Sequence, residues 1–467
     1  MTVATELAQR IVAMRYEDLP PEAVHWAKVS IIDTIGCALA AVDEDAPRIA
    51  ERVLTEGSYD GPSLVWGTRR RARVLDAAVI NGTAAHALDY DDVGSSIGGH
   101  PSIPILPGIV ALGEALGVSG RDLVVAYIVG WETEARIGHA VNMHHYEKGW
   151  HPTATLGVFG GAAGAAKLLG LDAQRAATAL AIAVSLAAGV KSNFGSMTKP
   201  LHAGQSTRHG VYAAMLAKEG FTAQAEAFEH PQGFFEVFNG AGSYDPGRIF
   251  EHWADPLDIL DPGVGLKQYP CCASTHSAID ATLLLREKHG LTPERVAKIE
   301  SITHARALAH TNRPDPRSTL DAKFSVQYCI ARALLHGEVT FAHFEGESYR
   351  DPQVRELLAR IEARPHAHQP KGKGMEEHFE CDLHVTTRDG KRLSAHVDQP
   401  LRGPKNLTPP DRLQAKFHDC AARALHADAV GRVYDAIGRI ETYADLRDLT
   451  RLLADSAKTA ERKQAAA

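Results

Sequence analysis

Residues Asn81–Pro107 read NGTAAHALDYDDVGSSIGGHPSIPILP. Asp89, Asp91 and Asp92 crowd one short segment, with His86 before them and His100 after them, and a glycine- and serine-rich loop, Gly94 to Gly99, joins the acids to His100. Close carboxylates repel one another, and loop glycines lose the most entropy on folding. Such a cluster is costly as structure. It suits proton transfer, because neighbouring charges and imidazoles move pKa values towards working pH. A solvated acidic turn with an N-cap is the alternative reading of the same residues.

On either side of this stretch the pattern is helical. Met1 to Ile80 reads as amphipathic helices, and Ala23 to Ala41 carries apolar residues at helical spacing. Asp33 inside that pattern is either a capping partner or buried and paired. Two helices are expected from Pro104 to Ala140, split by Gly117 to Gly120. His151 to Gly170 is dense in Gly and Ala, which lets helices approach closely; it has no phosphate-loop signature. Ala173 to Ala217 continues helical, with a break from Ser192 to His202. The composition changes near Pro262. Val296 to His304, Cys381 to Thr387 and Arg392 to Val397 read as strands, the last two joined by Asp389-Gly390, a hairpin signal. Helices are expected again at Ser325 to His336, Pro352 to Ala363 and Pro409 to Ala457, before a polar, frayed tail. The fold class is therefore mainly α: a large all-helical domain (1–261), a smaller mixed α/β domain (262–404), and C-terminal helices (405–467) that rejoin the helical domain.

The 467 residues, 45% of them apolar, suffice for large cores, and the net charge of -7 argues against a nucleic-acid footprint. Six scattered cysteines without a CxxC pair fit reduced thiols better than a disulfide framework or a zinc site. The N-terminus lacks an apolar signal core, and the longest apolar run, Ala176 to Val190, falls short of the roughly 20 residues that span a bilayer. A cytoplasmic protein without membrane partners is expected.

Four further stretches are candidates for chemistry. His151 precedes a helix start, where free N–H groups favour an anion, or it is a simple cap; Tyr146, in the same stretch, is counted as substrate-binding. Lys199, before Pro200 in the expected non-helical break, is a fixed charge for a carboxylate or an ordinary surface lysine, and His202 follows it. Lys267 begins KQYPCCASTH, where Cys271 and Cys272 form either a low-pKa thiolate or small buried residues. Tyr328 ends KFSVQY and is either a proton donor or a packing residue.

Taken together, IIDTIGCALA, NGTAAHALDYDD, GHPS, GWHPTATLG, TKPLHAGQ, KQYPCCASTH, DAKFSVQY and PKNLTPPDRLQAKFHDCA resemble the MmgE/PrpD superfamily over nearly the whole chain. That superfamily includes 2-methylcitrate dehydratases, cis-aconitate decarboxylases and iminodisuccinate epimerase. The resemblance implies a large helical domain with a smaller α/β lid domain, and a homodimer with a cleft site that uses no metal or organic cofactor and takes a small polycarboxylate. It places site residues at Asp89, His100, His151, Lys199, Lys267 and Tyr328. Val93 stands where the decarboxylase-like members carry threonine, and Cys272 where they carry histidine, so the pattern is nearer the epimerase branch. The expected chemistry is removal of a proton beside a carboxylate. His100 and His151 serve as acid and base, Asp89 holds an imidazole, Lys199 and Lys267 clamp carboxylates, Tyr328 completes the site, and Cys272 is the opposite-face donor of an epimerase. A lyase is the alternative, and a non-catalytic carboxylate binder the second.

Overall fold

The computed structural model describes residues 1–367, 379–407 and 410–458. The chain divides into two units, Met1–Val264 with Leu407–Ala467, and Gly265–Asn406. The polar tail beyond residue 458, and Pro409 at the expected start of the last helical segment, lie outside the described residues.

The first unit is built mainly from helices, and the short antiparallel pair Ser63–Leu64 and Arg71–Ala72 corrects the all-helical expectation. Pro21–Ala40 is long and apolar enough to cross a membrane by length and composition, yet 83% of its apolar window is buried within the fold. Asp33 on this helix resolves as buried and paired: Lys416 Nζ, on the helix Pro410–Ala421, lies 2.6 Å from its Oδ1. The same ammonium donates to the Tyr90 carbonyl at 2.8 Å, which ties the late helix to the acidic segment. Val74–Ala87 is buried on nearly every face from Ala77 onward, as expected of a helix that is apolar all round.

The placement of the site follows from one helix crossing. Val74–Ala87 packs on Thr198–Lys218, and a Cβ at Gly204 would stand 2.4 Å from Thr83 Oγ1 and 2.6 Å from the Val79 carbonyl oxygen. Only glycine fits there, and the backbone contact brings the end of the first helix beside the start of the second. That start corrects the expected break: Lys199 lies in the first turn of Thr198–Lys218, and the non-helical segment ends before it. The Gly/Ala-dense stretch forms the helix Gly157–Leu168, packed closely on Gly120–Val141.

The second unit holds a four-stranded sheet in the order Ile361–Pro365, Val296–Thr303, Cys381–Thr387, Arg392–Val397. The first pair is parallel and the others antiparallel, with Ile299 opposite Ile361 on one side and Val385 on the other. Strict alternation of burial along Cys381–Thr387 turns one face to a core of Ile279, Leu285, Ile330 and Leu334 from the helices His276–His289 and Val326–His336. The helix expected over Pro352 to Ala363 stops at Leu358, and its last three residues open the strand Ile361–Pro365. Arg364 and Pro365 close that strand at the edge of the sheet, where a missing N–H is tolerated.

Candidate active site

The Val74–Ala87 helix ends at Leu88, and Asp89 then takes φ +54°, a left-handed conformation rare outside glycine. From there the side chains alternate. Asp89 and Asp91 turn to one side, to Lys199 and the histidines. Tyr90 and Asp92 turn to the other: Lys416 Nζ sits 3.9 Å from the centre of the Tyr90 ring, and Asp92 accepts from Ser102, which also bonds Tyr127 at 2.6 Å. Asp92 is buried and its carboxyl is pushed well above the usual range by desolvation, so it belongs to the support of the loop.

Lys199 Nζ donates to Asp89 Oδ1 at 2.5 Å, and both side chains are buried. A cation in the first turn of a helix opposes the helix dipole, and Asp89 offsets that cost. Asp91 Oδ2 lies 2.8 Å from His86 Nδ1 and 2.9 Å from His100 Nδ1, while His100 Nε2 is 3.7 Å from Asp89 Oδ1. Asp91 thus stands between two imidazoles, while Asp89 pairs with Lys199 and lies farther from His100. Burial alone would raise the Asp91 carboxyl, but His100 and His86 outweigh it and hold the carboxyl well below its usual range. Desolvation pushes His86 down to about 4.

The His86 ring is 4.5 Å from that of His100, edge to face, and 5.8 Å from that of His151, stacked. His151 is buried, with desolvation and then His86 and Lys199 driving its pKa well below 6.5. Its Nδ1 meets His202 Nδ1 at 3.2 Å, so one ring donates and the other accepts. The His100 and His151 segments are laced together. The His100 N–H donates to Thr153 Oγ1 at 3.0 Å, and a Cβ at Gly99 would stand 2.6 Å from that same oxygen. The helix after His151 is a single turn, Pro152–Thr155, too short for the anion site expected of it.

Lys191 Nζ lies 3.4 Å from the centre of the Tyr146 ring. The remaining candidates belong to the other unit. Lys267 is buried there, and the Cys272 N–H donates to the Lys323 carbonyl at 3.0 Å, joining KQYPCCASTH to DAKFSVQY. Cys271 is buried, bonds Thr275 Oγ1 at 3.2 Å, and has its thiol pushed well above 9 by burial, which overturns the low-pKa thiolate for that residue. The Tyr328 hydroxyl donates to the His343 carbonyl and accepts from Arg332 Nε at 2.9 Å. Both of these hydroxyl contacts lie inside its own unit.

His86 and Asp91 were absent from the expected site set although both stand in the opening stretch. The available signal was the period-two alternation of DYDD in a non-helical segment, which sorts Asp89 and Asp91 onto one side.

Buried carboxylate, ammonium and imidazole groups thus gather at the meeting of two helices in a mainly helical protein. The chain matches the MmgE/PrpD N-terminal domain over residues 5–246 and the MmgE/PrpD C-terminal domain over residues 269–438. It is 31% identical to the cis-aconitate decarboxylase of Mus musculus over 464 residues, covering 97% of this chain and 93% of the relative. It is 26% identical to the cis-aconitate decarboxylase of Aspergillus terreus over 484 residues, covering 97% and 96%. The 2-methylcitrate dehydratase of Escherichia coli strain K12 is 24% identical over 375 residues, covering 74% of each chain. This chain belongs to the MmgE/PrpD family.

Proposed function

We propose that this protein is a lyase acting on a small unsaturated tricarboxylate, of the cis-aconitate decarboxylase type. The observation that carries the reading is the buried Lys199–Asp89 pair beside His100 and His86, in a chain similar to such decarboxylases along nearly its whole length. The relatives support a lyase over the epimerase expected from the Cys271-Cys272 motif.

Loss of CO2 from such a substrate leaves an electron pair on carbon, delocalised into a neighbouring carboxylate. Lys199 supplies positive charge for that carboxylate, held ready by Asp89 in a site largely closed to water. His100, with Asp91 and Asp89 beside its two nitrogens, has counter-charges in place for its protonated form and delivers the proton to carbon. His151, kept unprotonated by burial, orients the substrate through its His202-coupled ring. In the hydro-lyase reading the same asymmetry makes His151 the base and His100 the acid at the leaving hydroxyl. These roles use the helical unit alone.

The test is incubation with cis-aconitate and other small polycarboxylates in D2O, read by mass spectrometry. A product lighter by one CO2 and carrying deuterium at carbon is expected. Deuterium exchange into substrate of otherwise unchanged mass would instead establish epimerisation. Loss of water would establish a dehydratase. Thermal stabilisation by the polycarboxylate without turnover or exchange would establish a binder.

A further inference from the structure

His86, Asp89, Asp91 and His100 each offer one donor atom, and these atoms all lie within 4.8 Å of one another. Three of the four residues are buried. This is a set of two imidazoles and two carboxylates, which is the donor chemistry of a borderline transition-metal dication such as Zn2+. Tetrahedral zinc at about 2.0–2.1 Å from each ligand sets donors about 3.3 Å apart, so each need move inward by no more than about 1 Å. Two carboxylates match the charge of a dication with neutral imidazoles. A second observation points the same way: among the described residues the buried atoms Asp91 Oδ1 and His86 Nε2 have no hydrogen-bond partner, so two cluster members keep unspent hydrogen-bonding capacity. The ammonium of Lys199 stands in the way, 2.5 Å from Asp89 Oδ1.

We propose that His86, Asp89, Asp91 and His100 form an inhibitory binding site for Zn2+, in which the metal competes with the Lys199 ammonium for Asp89. Bound there, zinc removes the counter-ion that holds Lys199 and ties up His100, so it acts as an inhibitor and has no part in turnover. The inhibition rests on the function proposed above. The binding does not.

The experiment is isothermal titration of the full chain with zinc chloride, without substrate, and with magnesium chloride as the hard-cation comparison. One zinc per chain is expected, with no magnesium heat, since Mg2+ prefers an oxygen shell. Asp91→Asn and His86→Gln should each weaken zinc binding by about a hundredfold. Lys199→Ala should tighten it by about tenfold, because a competing charge beside Asp89 is gone. That last arm survives any folding defect in the ligand variants, since a damaged protein does not gain affinity. Zinc binding that Lys199→Ala leaves unchanged or weakens, or the absence of zinc binding, overturns the proposal. If zinc binds as described but no polycarboxylate is turned over, the metal site stands and the lyase reading fails.

Discussion

Lys199 Nζ and Asp89 Oδ1 meet at 2.5 Å, across a contact made possible because Gly204 has no side chain to hold the two helices apart. Each partner is buried and each is awkwardly placed: the lysine at a helix N-terminus, the aspartate at φ +54°. Together they form a buried ion pair.

Asp89→Asn and Lys199→Ala should each lower kcat/KM by about a hundredfold or more. Each should also cost about 3–5 kcal/mol of stability, because the other charge stays buried without its partner. The double variant Asp89→Asn/Lys199→Met should be more stable than the sum of the singles, the mark of a direct pair. Urea denaturation of all three variants checks this; additive losses would disprove the coupling.

Gly204→Ala probes the crossing itself. The new methyl meets the Val79 carbonyl oxygen at 2.6 Å, a backbone atom that gives way only if the helices separate. About 1–3 kcal/mol of destabilisation is expected, with a loss of turnover larger than a surface Gly→Ala such as Gly438→Ala produces. Wild-type turnover in Gly204→Ala would mean that the Asp89–Lys199 geometry tolerates helix separation.

Asp91→Asn separates positioning from chemistry. The variant keeps the shape but withdraws the charge from beside His100 and His86. The acid limb of the kcat/KM profile depends on that charge, so it should move along the pH axis, while KM changes little. A profile superimposable on the wild type would remove Asp91 from the mechanism.

Stability should fall on mild acidification. Burial pushes His86 and His145 from 6.5 down to about 4. As the pH drops below 6.5, the unfolded chain takes up protons that the folded chain refuses until about pH 4. The unfolded state then binds more protons, so the free energy of unfolding declines, by up to about 1.4 kcal/mol per pH unit for each histidine. Asp91 acts lower: its depressed carboxyl adds stability above 3.8 that is lost only as the pH falls through its folded-state value. Urea midpoints measured across this range should decline steadily from 6.5 to 4, and less steeply in His145→Gln. A flat profile would show that these imidazoles are not held neutral.

Local signals were enough for elements whose partners lie nearby in sequence. Asp389-Gly390 marked the hairpin because the turn and both strands sit in one window, and the structure has those strands at the expected residues. Ile361–Pro365 escaped because its strand partner among the described residues, Val296–Thr303, lies some sixty residues earlier, and nothing local distinguishes it from a helix end. Lys199 was read into a break because Pro200 looked like an interruption. Proline is equally at home in the first turn of a helix, where its missing N–H has no partner to lose. The site followed the same rule. His100, His151 and Lys199 stood out by residue type, but which of them Asp89 and Asp91 contact depends on Lys199 and His100, which arrive from other segments.

The Gly265–Asn406 unit leaves and re-enters the rest of the chain at almost one point, since Leu266 and Arg402 exchange backbone hydrogen bonds of 2.6 and 3.1 Å. It is thus an insert on a knotted-off loop, with its two stems stitched together. Evolution can swap or resize such a cassette without rerouting the helices that carry Asp89, His100, His151 and Lys199, and a designer could graft one from a relative at the same seam.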